Sequence, residues 1–346
     1  MNSRSYFVWD LGGTKCAAAH IEVSLAGGGY TIHKTHTVRL TEVCSLEDMI
    51  DCFEANIAIR MSDADAVCIA GAGIYDGSVL VNANPYPFEM CFAAMAKARN
   101  WPELHVIHDY TPVICRSFID PGQCYSEGII VINEGKVAAN GRRVAFGMGT
   151  GLGLKDGVML PDGQLWLGHN EMGHVGVMTP PCADQQDVKL HQEFMYFLQT
   201  SHSSLPLSFE VVLSGRGLTL LHQFAAGLSQ PVSPRQVQVE VAQDNDVARR
   251  TLSLYTWYLG LFVCATQLAF MPSGGMWVAG GLVERVPQIF SDDYLEPLQR
   301  GLAASPVYAD FRQSIPVFGI IEPQHVLLGA AYYAHHSECI VTHSVV

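Results

Sequence analysis

The sequence predicts an α/β fold made of two related lobes, and three observations carry that prediction. Two short apolar runs, WDLGGT at residues 9–14 and FGMGTG at 146–151, each end in a glycine cluster carrying a threonine. Strand-like and helical segments are mixed in both halves, as in layered α/β domains. The chain has 346 residues and is 49% hydrophobic, which is long for one core and suits two domains, or one domain split by an insertion.

In the N-terminal part, Tyr6 to Asp10 reads as a strand that turns at Gly12 and Gly13 and returns through Cys16 to Val23, a hairpin-like opening. Leu46 to Arg60 has amphipathic helical spacing, Ala66 to Ala70 is a short apolar run, and GAGIYDGSVLV is a turn between strand-like segments. Phe88 to Arg99 has helical spacing. Leu104 to Asp109 is an apolar strand ending in polar groups, just before a helix that begins Thr111-Pro112. The loop from Asp120 to Gly128, rich in Pro and Gly, is expected to be a domain hinge.

The second part repeats this grammar. Gly128 to Ile132, Arg143 to Phe146 and Leu154 to Leu160 read as strands, with GMGTGLG as a turn. Glu210 is expected on a strand, followed by a helix opened by Ser214, Gly215 and Gly217. Helices are expected at Asp187 to Gln199, Leu218 to Ala226, Asn245 to Met271 and Val283 to Phe290, with a strand at Met276 to Ala279 between the last two. The strand IPVFGII and a helix from Val326 to His335 close the chain. No tandem short repeat or heptad array is visible.

Net charge is −13, so phosphate-backbone electrostatics disfavour a nucleic-acid partner. Ten cysteines are scattered singly with no CxxC pair, the pattern of reduced, mostly buried thiols in a cytoplasmic protein. The start MNSRSYFVWDLGG shows neither an h-region nor a cleavage site. Leu252 to Met271 is long and uncharged enough to be weighed as a membrane span. Ser253, Thr256, Thr266 and Gln267, with no basic flank beyond Arg249 and Arg250, favour a buried central helix.

A phosphate needs several converging backbone N–H donors, and glycine lets the chain approach closely enough to supply them. Gly12, Gly13 and Thr14 offer one such clamp, and Gly149, Thr150 and Gly151 a second. Asp10, at a strand end, suits a magnesium ion, directly or through its water. Each turn alone is a weak signal, and neither matches a P-loop or a strand-to-helix GxGxxG. A third glycine pair, Gly280-Gly281, follows the strand MWVA and precedes a helix, where a nucleoside can lie against bare backbone. Phosphoryl transfer to a hydroxyl also needs a proton acceptor in line with the phosphate. Asp109 is the candidate, with a helix N-cap as its local alternative. Glu171 and His174, three apart around a glycine, are able to converge on one ligand, with a metal pair or a helix-surface pair as the alternatives.

The order WDLGGT, HDYT, FGMGTGLG, NEMGH, LSGRG and VAGGL resembles the hexokinase and actin-like ATPase superfamily, and specifically the bacterial-type glucokinases. The resemblance runs from Asp10 to the LLGAAYY stretch ending at Tyr333. The kinases of the repressor and sugar-kinase (ROK) family share several of these motifs. Their zinc-binding cysteine cluster is missing here, with a single cysteine, Cys182, in the stretch that follows the GH motif.

The resemblance implies a two-lobed actin-like ATPase (ribonuclease H-like) fold with an interlobe cleft. One domain spans residues 1–119 plus about 327–346, the other 120–326. It implies Asp109 as catalytic base and Glu171, His174 and Glu210 as sugar-binding groups, with Asn84, or Asn82, as the loop asparagine. Ser214 and Gly215 are implied to contact nucleotide, their amides meeting phosphate or ribose, while an N-capped helix explains the serine without a ligand. Two positions depart from the family. His108 stands where glucokinases place an asparagine beside the catalytic aspartate, and an imidazole offers one bond at each nitrogen where an amide offers both faces. Lys15 replaces a common asparagine and adds a cation beside the first clamp, or is a solvated surface lysine.

The expected activity is ATP- and Mg2+-dependent phosphorylation of a hexose, glucose first, giving the sugar 6-phosphate that enters glycolysis. Mannose or an N-acetylated hexosamine are the alternative substrates, and a catalytically weak sugar-sensing regulator is the runner-up. A structural ATPase of the actin type would leave Glu171, His174 and Glu210 without purpose. The resemblance also implies a homodimer; no nucleic-acid or membrane partner is expected.

Overall fold

A computed structural model describes residues 2–82, 84–119, 128–177, 179–180 and 184–342. Apart from Gly128, the expected hinge at 120–128 lies outside the described residues, as does Cys182. The chain divides into two compact units. The first comprises Met1–Pro121, Gly163–Leu165 and Pro323–Val341, and the second Gly122–Asp162, Trp166–Glu322 and Thr342–Val346.

In the first unit the strands are β1 (Ser3–Leu11), β2 (Lys15–Ser24), β3 (Tyr30–Arg39), β4 (Ala66–Gly71), the short pair β5 (Ile74–Tyr75) and β6 (Leu80–Val81), and β7 (Leu104–His108). The main sheet runs β3-β2-β1-β4-β7. β1 pairs antiparallel with β2 up to Leu11↔Cys16 and parallel with β4, which pairs parallel with β7. Leu11, Gly71 and His108 share one register, so the three parallel strands end at a common edge.

Both faces of this sheet are covered, as parallel strands require. Trp9 packs edge-on against Phe53 and Phe92, at 5.0 and 5.8 Å between ring centroids, in a cluster with Met49 and Ile50 from the helix Leu46–Ile57. Ser45 starts that helix by accepting a hydrogen bond from the Asp48 amide, an N-cap of the usual kind. On the opposite face, the helix His325–His335 packs on β1, β4 and the helix Thr111–Arg116. Strand β3 escapes sequence reading because it is a mostly exposed edge strand with His, Lys and Thr on both faces.

The second unit repeats the arrangement. Its strands are β8 (Ile129–Asn133), β9 (Arg143–Met148), β10 (Leu152–Met159), β11 (Leu165–Leu167), β12 (Met276–Ala279) and β13 (Val317–Ile320). They run β11-β10-β9-β12-β13-β8. β9 and β10 form an antiparallel hairpin closed at Met148↔Leu152, and β9, β12 and β13 are parallel. The order β10-β9-β12-β13 therefore mirrors β2-β1-β4-β7, and each glycine turn sits at the tip of the equivalent hairpin.

The long apolar segment forms the helix Asp246–Phe270, with 78% of its most apolar window buried inside the protein. Some of its polar groups are satisfied: Thr251 and Thr256 donate to the carbonyls of Val247 and Leu252 one turn back, and the Gln267 amide donates to Arg312 O.

Three expectations are corrected. Glu210 lies not on a strand but in the short helix Phe209–Leu213, whose N-cap Ser208 accepts from the Val211 amide. The expected helix from Val283 to Phe290 is a helix Gly281–Arg285 followed by a 3-10 turn Pro287–Phe290. The proline disfavours helical backbone at Val286 and removes a donor. The helix expected from Phe88 starts at Phe92, because Met90 is held in a bridge with Leu80.

Gly329 has a packing reason. A Cβ there would run into the Pro112 carbonyl, the contact that seats the C-terminal helix against the helix after Asp109. Gly329→Ala is expected to cost about 1–3 kcal/mol by overpacking, read as a Tm lower by several degrees in thermal denaturation.

Candidate active site

The first unit gathers its predicted residues at the carboxyl edge of β1, β4 and β7. Asp10 is the penultimate residue of β1, and Asp109 follows β7 directly, its amide donating to Gly71 O at 3.1 Å. One strand, β4, separates them, which puts their backbones roughly 10 Å apart at the interstrand spacing. Ligands of open α/β sheets bind at such carboxyl edges.

In the first turn the Gly12 amide is spent on Lys15 O at 3.0 Å, and Leu40 donates to Thr14 O. The amides of Gly13 and Thr14 donate to no acceptor among the described residues. Gly13, Thr14 and Lys15 line a cavity of about 740 Å³ together with Arg39, Thr41 and Pro85. Arg39, at the end of the unrecognised strand β3, is a second cation here that sequence reading missed.

Asn84 is exposed, and its side chain makes no hydrogen bond among the described residues. Asn82 is committed to the loop itself. Its side-chain Oδ1 accepts the Asn84 backbone amide at 3.3 Å, and the same side chain bonds the Tyr86 hydroxyl. Burial pushes the Tyr86 phenol up to about 12, so it stays a donor to Ala72 O at 2.7 Å.

Asp109 Oδ1 is buried without a hydrogen-bond donor. His108 Nδ1 lies 3.0 Å away, but off the hydrogen-bonding direction, and it meets the Tyr110 amide at 3.4 Å. Asp109 does not cap the next helix, which starts after Tyr110 without a side-chain cap.

In the second unit the predicted groups converge around the β9–β10 turn. His174 lies between two carboxylates, Nε2 at 3.7 Å from Glu171 and Nδ1 at 3.8 Å from Glu210. The other oxygen of Glu210 accepts the Leu152 amide at 3.1 Å, just past the glycine turn. Phe209 donates to Val175 O and Val177 to Leu207 O, stitching the His174 and Glu210 segments together. Gly173 packs against the Leu152 carbonyl, so the NEMGH segment rests directly on the second turn.

The third glycine pair joins the same cluster. Gly280 has φ +105°, and a Cβ there would lie 2.5 Å from Met148 O, so only glycine fits. Arg285 folds over Gly281, 3.4 Å from where its Cβ would stand.

The expected donors at Ser214 and Gly215 are corrected. The Ser214 amide donates to Glu210 O, the Gly215 amide to Gly149 O at 2.8 Å, and the buried Ser214 hydroxyl accepts from Gly217 N at 3.3 Å. These groups build the turn instead of offering free donors. The Gly149 amide is likewise spent, on Gly151 O. Thr150 and Gly151 keep amides with no acceptor among the described residues.

A polar network beneath this site was not read from the sequence. Lys155 lies 2.6 Å from His169 Nδ1, and His169 Nε2 lies 3.7 Å from Glu171. Asp156 is buried, which raises its carboxyl pKa, with Arg142 at 3.6 Å and Asn170 at 3.4 Å opposing the shift. Asn170 also accepts the Met172 amide. Consecutive Lys and Asp look like surface charges in sequence, and only the pairing of β10 reveals them as interior.

The profile of a family described as Glucokinase matches residues 7–337. The glucokinases of Yersinia pestis (strain Pestoides F) and Yersinia pseudotuberculosis serotype O:1b (strain IP 31758) are each 29% identical over 336 residues, covering 94% of this chain and 95% of theirs. The crystal structure of a glucokinase from an Antarctic psychrotroph is similar with a TM-score of 0.79 at 21% identity, over 96% of this chain and 99% of that one. The glucokinase of Balamuthia mandrillaris in complex with glucose follows at 0.75 and 17% identity, covering 96% and 93%. A ROK family glucokinase from Streptomyces griseus in complex with glucose and AMPPNP gives 0.58 and 19%, covering 94% and 98%. At these identities the structural likenesses establish the fold, that of the two-lobed actin-like ATPases.

Gly280→Ala is expected to strain the backbone and push into the second turn, at about 1–3 kcal/mol. The loss is read as a Tm lower by several degrees in thermal denaturation.

Proposed function

Because the chain belongs to the glucokinase family, we propose that it transfers the γ-phosphoryl group of ATP to the 6-hydroxyl of glucose. The observation that carries this reading is Asp109. Its carboxylate follows a parallel strand at the ligand-binding edge, is 30% exposed as a side chain, and has no hydrogen-bond donor at Oδ1 among the described residues. Such a carboxylate accepts the proton of a substrate hydroxyl at its exposed side. A loose phosphoryl-transfer transition state releases that proton late, so an ordinary carboxylate suffices as base.

Glu171, His174 and Glu210 read the sugar. Their mutual approach leaves acceptors and donors that a hexose missing a hydroxyl would leave unpaired, at a cost in specificity. The amides of Gly13 and Thr14, and those of Thr150 and Gly151, hold the phosphates with the two threonine hydroxyls; Lys15 and Arg39 add positive charge. Asp10 would hold Mg2+, directly or through water. Among the described residues no group of three or more His, Cys, Asp or Glu side chains forms a metal cage. A single carboxylate at the phosphate edge fits Mg2+, which keeps its waters and takes its other oxygens from substrate. When bound, the ion neutralises charge on the transferring phosphoryl group.

The family resemblance supports a homodimer, which sedimentation equilibrium tests. The scattered thiols, free wherever described, support a cytoplasmic setting.

A coupled ADP-release assay with glucose, mannose, fructose, an N-acetylated hexosamine and no sugar tests the reading. Turnover is expected with glucose; sugar-independent ADP release, or sugar binding without turnover, overturns it. Asp109→Ala is expected to retain sugar binding and lose roughly 10²–10⁴-fold in kcat, the contribution of a general base.

His108 favours a second reading of specificity. Nδ1 is occupied by Tyr110 N, leaving Nε2 as the only ring nitrogen for a sugar hydroxyl. His108→Asn is expected to shift the kcat/KM ratio of glucose to mannose severalfold, since one good hydrogen bond contributes about 1 kcal/mol; an unchanged ratio removes His108 from specificity.

A further inference from the structure

A cavity of about 410 Å³ opens in the second unit, and none of its lining residues belongs to the cluster around the second glycine turn. Its volume is within the range of small-molecule sites. The cationic part of the lining is Arg249, Arg250 and Arg300, against one acid, Asp187. Arg300 is held by Asp187 at 3.0 Å and by Glu296, and Arg249 by Asp244 at 2.6 Å. Arg250 makes no hydrogen bond or ion pair among the described residues. Asp187, Asp244 and Glu296 together balance the three guanidiniums, and Arg250 is the one left uncommitted, a point where an anion finds a partner in a chain of net charge −13.

Much of the rest of the wall is aromatic or aliphatic. Phe224, His191 and Trp257 line the same cavity. Trp257 is only 3% exposed, so it is held rigidly as part of that wall. The cavity thus combines a fork-shaped cation suited to a carboxylate or phosphate with a flat apolar wall.

We propose that this cavity is a second ligand site, taking a small organic anion whose carboxylate or phosphate meets Arg250 while a ring lies against Trp257 and Phe224. The site is separate from the kinase chemistry and does not depend on that reading.

Calorimetric titration of the full-length protein with phenyl phosphate, benzoate, inorganic phosphate and benzyl alcohol tests it. Phenyl phosphate or benzoate is expected to bind with a dissociation constant of roughly 0.1–1 mM, the scale for so few heavy atoms. Benzyl alcohol and inorganic phosphate are expected to bind at least about tenfold more weakly, since each supplies half of the match. The stronger of the two aryl anions identifies the head group.

Arg250→Glu, at an exposed position, and Ser253→Trp, which fills the cavity, are each expected to weaken aryl-anion binding at least about tenfold. Circular dichroism and thermal denaturation check that both variants remain folded. The proposal is overturned if neither variant changes binding, or if inorganic phosphate binds as tightly as phenyl phosphate. It is also overturned if Arg250→Glu acts by changing the sedimentation-defined oligomeric state, which would make the cavity an interface between copies.

Discussion

The constraint on which this molecule rests is the parallel pairing of β1 with β4 and of β9 with β12. Parallel strands start together and therefore end together, so whatever follows each strand is delivered to one edge of the sheet. In the first unit that edge receives Asp10, the Gly12–Thr14 turn and Asp109. In the second it receives the Gly149–Gly151 turn and Gly280. Residues far apart in sequence become neighbours through backbone ladders alone, before any side chain has been chosen for chemistry.

The two turns occupy equivalent places but are built differently. The first spans four residues between Leu11 and Cys16, and the second three between Met148 and Leu152. The longer turn is braced from the side by Leu40 and by the Gly12 amide. The shorter one is braced from below by Glu210, Gly215 and Gly280. In both, bracing consumes some amides and leaves an adjacent pair aimed outward. Around the second turn a Cβ at Gly151 would meet the Glu210 carboxylate, and one at the bracing Gly280 would meet the Met148 backbone.

This division between spent and spare donors explains what the sequence revealed. The hairpins, the strand before Asp109 and the order of the motifs were legible, because strand periodicity and glycine punctuation are local. The helical state of Glu210 was not, since SFEVVL alternates like a strand and only the Ser208 cap tips it. Nor was the commitment of the Ser214 and Gly215 amides, because a residue's identity does not say where its N–H points. Arg39 and the Lys155–His169 pair were missed for the same reason: their meaning comes from strand pairing over long sequence distances.

The buried polar network under NEMGH shows why such pairings matter to specificity. Burial raises the Asp156 carboxyl pKa, so at neutral pH its charge is carried at a cost in stability. Replacing such groups with apolar ones of equal volume is often neutral or stabilising. Here, however, Asp156 bonds Asn170, Asn170 receives the Met172 amide, and Lys155 meets His169, whose other nitrogen faces Glu171. Each link fixes one rotation of a mostly exposed segment that has few apolar contacts of its own. Glu171 and His174 are 64% and 58% exposed as side chains, and packing alone would leave them free to sample many rotamers. A hexose is distinguished by the direction of its hydroxyls. On the proposed reading, in which Glu171 meets the sugar, an aimed carboxylate contributes more to discrimination than a better-packed floor would, and the interior charge is the physical means of aiming it.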